Sequence, residues 1–92
     1  MLKVTLLTAS WCPVCPWARR LWKQLSLSYV FDFEEIDVSS AEGRRLVKEL
    51  GLNAVPSALF NGKLVFTGEP EPHVAAQALE DHGAEVLATC CG

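Results

Sequence analysis

Cys12 and Cys15 enclose Pro13 and Val14 directly behind Trp11, and the apolar run Val4-Thr5-Leu6-Leu7 lies just upstream. This order predicts a strand, a turn that carries paired thiols, and then a helix. Two cysteines at this spacing can close a small disulfide and open it again. The first thiol is expected at the start of the helix, where the helix dipole favours its thiolate. No other stretch constrains the chain's fold and chemistry as tightly.

Ninety-two residues make one domain. A chain of that length buries about 60–65% of its unfolded surface, which leaves a thin core. Half of the residues are apolar, which argues for a globule and against disorder. The formal charge is -3 and the cations are scattered, so nucleic acid is not an expected partner. No apolar run approaches the roughly 20 residues that span a bilayer. Met1-Leu2-Lys3 does not begin a signal peptide, so a cytoplasmic protein is expected. In that reducing compartment the four cysteines are expected to be catalytic or metal-binding rather than structural staples.

Leu2 to Thr8 reads as a buried strand. Apolar residues at 14, 18, 21, 22 and 25 predict a helix over 12–27. Pro13 fits its first turn, and Pro16 is tolerable if the helix begins near Pro13. Tyr29 to Val38 predicts a second strand, regular over 33–38, with a bulge or a late start where the apolar phase slips. Ser39 or Ser40 can cap a short helix over 44–50 that stops at Gly51. Ser57 to Phe60, Asn61-Gly62 and Lys63 to Thr67 read as a hairpin. A last helix is predicted from His73 to about Ala88, weakened by Gly83. The order is β-α-β-α-β-β-α, with the first two strands parallel and the last two antiparallel. The fold class is therefore α/β: a four-stranded mixed sheet with helices on both faces. Residues 1–88 are read as the domain and 89–92 as a cysteine-bearing tail.

Strand, Trp11-Cys12-Pro13-Val14-Cys15, helix, and Val55-Pro56 at the mouth of a hairpin together resemble the thioredoxin superfamily. In length the chain is similar to glutaredoxins and to small glutaredoxin-sized thioredoxins. The resemblance spans Leu2 to about Ala88. It implies a sheet order of second, first, third and fourth strand. It also implies a cis Val55–Pro56 peptide facing the thiols.

Disulfide exchange needs a thiolate that attacks and a second thiol that releases the trapped mixed disulfide. Cys12 is assigned as the nucleophile, with the amides of Val14 and Cys15 expected at its sulfur, and Cys15 as the resolving thiol. Cys12 is expected to be substantially ionised at neutral pH. The competing reading is half of a zinc site, but zinc wants four ligands and the other cysteines are adjacent at positions 90 and 91. No metal and no other cofactor is expected. Pro56 either opens a strand, as proline can, or leaves a main-chain edge at Val55 open to an extended substrate. The resemblance favours the second reading. Trp11 looks like the tryptophan that precedes the motif in thioredoxins, and with Pro13, Val14, Val55 and Pro56 it would form the substrate surface. Trp17 is read equally as surface or packing, and Trp22 as core.

The sequence departs from the family in three places. Many thioredoxins carry a buried Asp where this chain has Leu6, which removes a proton acceptor for Cys15. Glutathione-using glutaredoxins often carry Lys where this chain has Ala9. They also tend to have a second glycine where Glu69 follows Gly68, and a carboxylate there should repel an anionic tripeptide. The expected substrates are protein disulfides. The expected donor is a thioredoxin-reductase-like protein rather than glutathione, and the protein is expected to act as a monomer. A glutathione-dependent glutaredoxin and a metal or metalloid binding module are the alternatives. Cys90 and Cys91 are either reactive thiols of a tail or a relay that passes electrons to Cys12–Cys15.

Overall fold

The first strand, β1 (Lys3–Thr8), is buried on both faces at every position after Lys3, and carries only Val, Leu and Thr there. The computed structural model describes residues 1–86. β1 is followed by α1 (Cys15–Leu25), β2 (Tyr29–Val30), β3 (Asp32–Asp37), α2 (Ala41–Leu50), β4 (Ser57–Phe60), β5 (Lys63–Thr67), α3 (Pro72–Asp81) and β6 (Glu85–Val86). The main sheet has the order β3-β1-β4-β5, as the resemblance implied. β1 runs parallel to β3, and antiparallel pairs join β1 to β4 and β4 to β5.

The alternation of β1 explains the helices on both faces. Val4 and Leu6 join Ala18, Leu21 and Trp22 of α1 and Ala75 and Leu79 of α3 in the larger core. Leu7 points the other way, against Ile36, Leu59 and Leu46 of α2. Trp22 is fully buried and meets Phe60 edge-on at 5.7 Å between centroids, as the core reading required. Asn61 and Gly62 both adopt positive φ, 52° and 86°, as a two-residue hairpin turn requires. The turn is also tied to β1: the Lys3 amide donates to Asn61 Oδ1 at 3.0 Å, and the Asn61 amide to the Lys3 carbonyl at 2.8 Å.

Four expectations are corrected. α1 begins at Cys15, not at Cys12, with Val14 as its N-cap. Pro16 is then the second helical residue, where the missing N–H has no partner to lose. The second strand breaks at Phe31. Its first part, β2, leaves the main sheet to pair with β6, while β3 starts at Asp32. That explains the slipped apolar phase. α2 begins at Ala41, three residues earlier than expected, because Ser40 caps it by accepting from the Gly43 amide at 3.0 Å. The last helix stops at Asp81, not near Ala88: Gly83 takes φ 90° and turns the chain back into β6. The apolar Val86 belongs to that strand and not to the helical stripe.

Candidate active site

Three chain segments converge at the C-terminal end of β1. Thr8 lies opposite Asp37 of β3, and the Val38 amide donates to the Thr8 carbonyl at 2.8 Å. Leu7 lies opposite Ser57 of β4, which brings Val55 and Pro56 to the same end. The loop after β1 turns there, with the Cys12 amide donating to the Ala9 carbonyl at 3.1 Å. The result is a small buried cluster of Ala9, Cys12 and Cys15, packed against Val38 and Val55.

Both cysteines are free thiols. Cys12 is 6% exposed and its thiol points to the Val55 carbonyl at 3.9 Å. Among the described residues the Cys12 sulfur meets this carbonyl and the Cys15 thiol, and the expected bonds from the Val14 and Cys15 amides are not formed. Cys15 is 1% exposed. Burial first, and then its hydrogen bond to Cys12, push the Cys15 thiol up to about 11. The nearby Arg19 charge opposes that shift weakly.

The Val55–Pro56 peptide is cis. The Pro56 carbonyl accepts from the Gly68 amide at 2.6 Å, so the turn that carries Glu69 closes beside it. Trp11, Pro13 and Val14 are exposed around the thiols, whereas Pro56 is buried. Trp17 is exposed, and the Arg20 guanidinium stands 5.0 Å from its ring centroid, so it is not a packing residue. Cys90 and Cys91, and with them the division between domain and tail, lie outside the described residues.

Two features of the neighbourhood were not legible in the sequence. Glu35 accepts from Arg19 at 2.7 and 2.6 Å and from the Thr8 hydroxyl at 3.0 Å. The Arg19 guanidinium holds the Glu35 carboxyl below the ordinary carboxylate range, with Thr8 adding to the effect. Glu35 faces Leu6 in register, the position where an acid is missing from the usual pattern. The second feature is a groove of about 330 Å³ between Trp11 and α2. Only the i,i+4 spacing of Arg44 and Lys48 could have hinted at a shared face of α2. Among the described residues no group of three or more His, Cys, Asp or Glu is placed to hold a metal ion. No helix there is long and apolar enough to cross a membrane.

The glutaredoxin family model matches residues 4–65. A thioredoxin of Methanocaldococcus jannaschii is 28% identical over 79 residues, covering 86% of this chain and 93% of that protein. Glutaredoxin-8 of Saccharomyces cerevisiae is 34% identical over 62 residues, covering 62% of this chain and 57% of its own length. Among solved structures, the Malassezia sympodialis thioredoxin superposes with a TM-score of 0.72 at 24% identity, covering 88% of this chain and 74% of that one, a likeness of fold. The strand–thiol–helix junction, the sheet order and the sequence match agree: the chain belongs to the glutaredoxin family of small thioredoxin-superfamily proteins.

Proposed function

We propose that this chain reduces protein disulfides, with Cys12 as the attacking thiol and Cys15 as the resolving one. The observation that carries this reading is the asymmetry of the pair. Cys15 is the more deeply buried, at 1% exposure, and holds its proton, whereas Cys12, at 6%, lies between the exposed Trp11 and Pro13. A deprotonated Cys12 sulfur attacks one sulfur of the client disulfide, and the other client sulfur leaves as a thiolate. Cys15 then loses its proton, to that leaving thiolate or to water, and attacks Cys12. The Cys12–Cys15 disulfide forms and the second client thiolate departs. The client gains two electrons and the pair loses two.

Burial of Cys15 suits this order. While its proton is held, Cys15 does not compete with Cys12 for the client, and it is already packed against the sulfur it must attack. Trp11, Pro13 and Val14 supply exposed surface around the attacking thiol, and Val55, followed by Pro56, packs against the cysteines from the other side. The reading assigns the reaction to a reducing compartment such as the cytoplasm. It takes a thioredoxin-reductase-like protein as electron donor.

The test is insulin reduction with dithiothreitol by the wild-type, Cys12→Ser and Cys15→Ser proteins, followed by mass spectrometry of trapped adducts. Loss of turnover in Cys12→Ser and accumulation of mixed disulfides in Cys15→Ser are expected. Full turnover by Cys12→Ser would overturn the assignment. The glutaredoxin family match favours glutathione as a second candidate donor, whereas Ala9 and Glu69 disfavour it. Turnover with glutathione plus its reductase, compared with a thioredoxin reductase, decides between the two. Metal analysis of the purified protein tests the binding-module alternative.

A further inference from the structure

The groove beside the thiols has walls of two kinds. Trp11, Val38, Val47, Leu52 and Val55 make it apolar, and Arg44 and Lys48 line it from α2. Trp11 is 73% exposed, so its side of the apolar wall is uncovered among the described residues. Val38 and Val55 also pack against the two cysteines, so the groove begins where the reacting sulfurs are.

Its charge is opposite in sign to that of the chain as a whole. Acids outnumber bases, 11 to 8, and the net charge is -3. Three cations are neutralised locally: Lys3 pairs with Glu34, Arg19 with Glu35, and Arg45 with Glu42 and Glu49. On α2 itself, Arg45 takes both helix carboxylates, Glu42 and Glu49. Arg44 and Lys48 join no ion pair among the described residues. They stand one helical turn apart and face the same groove. Two unpaired cations at the edge of an apolar trough match an acidic residue that sits next to an apolar one.

We propose that this groove reads the segment flanking the client's cysteine. An apolar client residue packs against Trp11, Val47 and Leu52, and an acidic client residue lies beside Arg44 and Lys48. Preferred clients are therefore proteins whose reducible disulfide is flanked by an acidic-apolar segment. The inference rests on the proposed reductase activity and names its substrate class. Because the cations are exposed, each pair contributes modestly, so charge acts mainly through encounter and client affinity. A preference of roughly fivefold is the expected scale for two such pairs, and it shrinks as salt screens them.

The test uses three peptides with a single cysteine linked to 2-thiopyridine, flanked by Leu-Glu, Leu-Gln or Leu-Lys. Attack by Cys12 at the peptide sulfur releases thiopyridone, and Cys15 then frees the peptide. The wild-type protein is expected to prefer the Glu peptide over the Gln peptide by about fivefold in kcat/KM, chiefly through KM. Arg44→Gln with Lys48→Gln should abolish the preference, and Arg44→Glu with Lys48→Glu should turn it towards the Lys peptide. Equal kcat/KM for the three peptides in a wild-type protein that still reduces insulin overturns this inference and leaves the reductase reading standing. Failure to reduce insulin overturns the reductase reading itself. Docking is then judged alone, by tryptophan fluorescence titration with the same peptides carrying serine for cysteine. Tighter binding of the Glu peptide supports the groove assignment, and equal binding overturns it.

Discussion

Replacing Gly43 with alanine sets two physical effects against each other. Gly43 is the third residue of α2, and helix propensity alone predicts that Gly43→Ala stabilises the protein by about 0.5–1 kcal/mol. The structure predicts the opposite. A Cβ at this position would fall 2.0 Å from the Asp37 carbonyl oxygen and 2.7 Å from the Val38 Cα. Both atoms are backbone, so neither can swing aside as a side-chain tip would. Ordinary contact begins near 3.4 Å, so α2 and the end of β3 must separate by on the order of 1 Å. That movement disturbs the bond from the Gly43 amide to the Ser40 cap and the packing of Leu46 on Ile36.

Overpacking of this kind costs about 1–3 kcal/mol, which exceeds the propensity gain, so a net loss of roughly 1–2 kcal/mol is expected. In a domain of this size each kcal/mol moves Tm by about 4–8 °C, so calorimetry should show a fall of roughly 5–15 °C. Urea unfolding should show a lower midpoint with an unchanged slope. A Tm equal to or above that of the wild type would refute the reasoning. It would mean that the close approach of α2 to β3 does not exist in solution.

The other predictions follow from single groups. The folded Cys15 thiol titrates near 11 against an ordinary value near 9, so the folded state keeps a proton that the unfolded chain releases. Stability contributed by Cys15 is full below pH 9 and is lost as pH rises towards 11, with a slope of about 1.4 kcal/mol per pH unit. Urea midpoints of the reduced wild type should therefore fall more steeply over that window than those of Cys15→Ala, and parallel curves would contradict the buried thiol. Glu35 shifts the other way, so its contribution is present at neutral pH and is lost as pH falls through the acidic range. The acid limb of a stability–pH curve should flatten in Glu35→Gln, and an unchanged limb would show that the Arg19 contact does no work in solution. Trp22→Ala should cost about 3–5 kcal/mol in urea unfolding. Trp22→Phe should cost less than half of that, because it also removes a buried indole N–H that has no partner among the described residues.

The sequence alone determined the features that depend on residues close in the chain. A short run of Val, Leu and Thr set β1. Asn61-Gly62 set the hairpin, because few other residue pairs accept two positive φ angles. Ser40 and Gly51 set the ends of α2, and the spacing of Cys12 and Cys15 points to the proposed chemistry. Element boundaries were less legible. Pro13 and Pro16 are both compatible with a first helical turn, and only the hydrogen bonds to the Val14 carbonyl fix the start of α1 at Cys15. Likewise, Val86 completes an apolar stripe on paper, but Gly83 ends the helix and β2 offers the following residues a strand partner.

Tertiary structure decided everything that depends on which segments meet. The register of β1 with β3 and β4 brings Val38 and Val55 to the thiols, from 26 and 43 residues beyond Cys12. That enclosure raises the Cys15 thiol, and no residue adjacent to Cys15 in the chain could have announced it. The same convergence sets Arg44 and Lys48 across from Trp11, and pairs Glu35 with Arg19 and Thr8. Local pattern can fix a strand, a turn or a reactive residue, because their energies are set within a few bonds. Desolvation and charge pairing are set by neighbours in space, and those exist only once the sheet has closed.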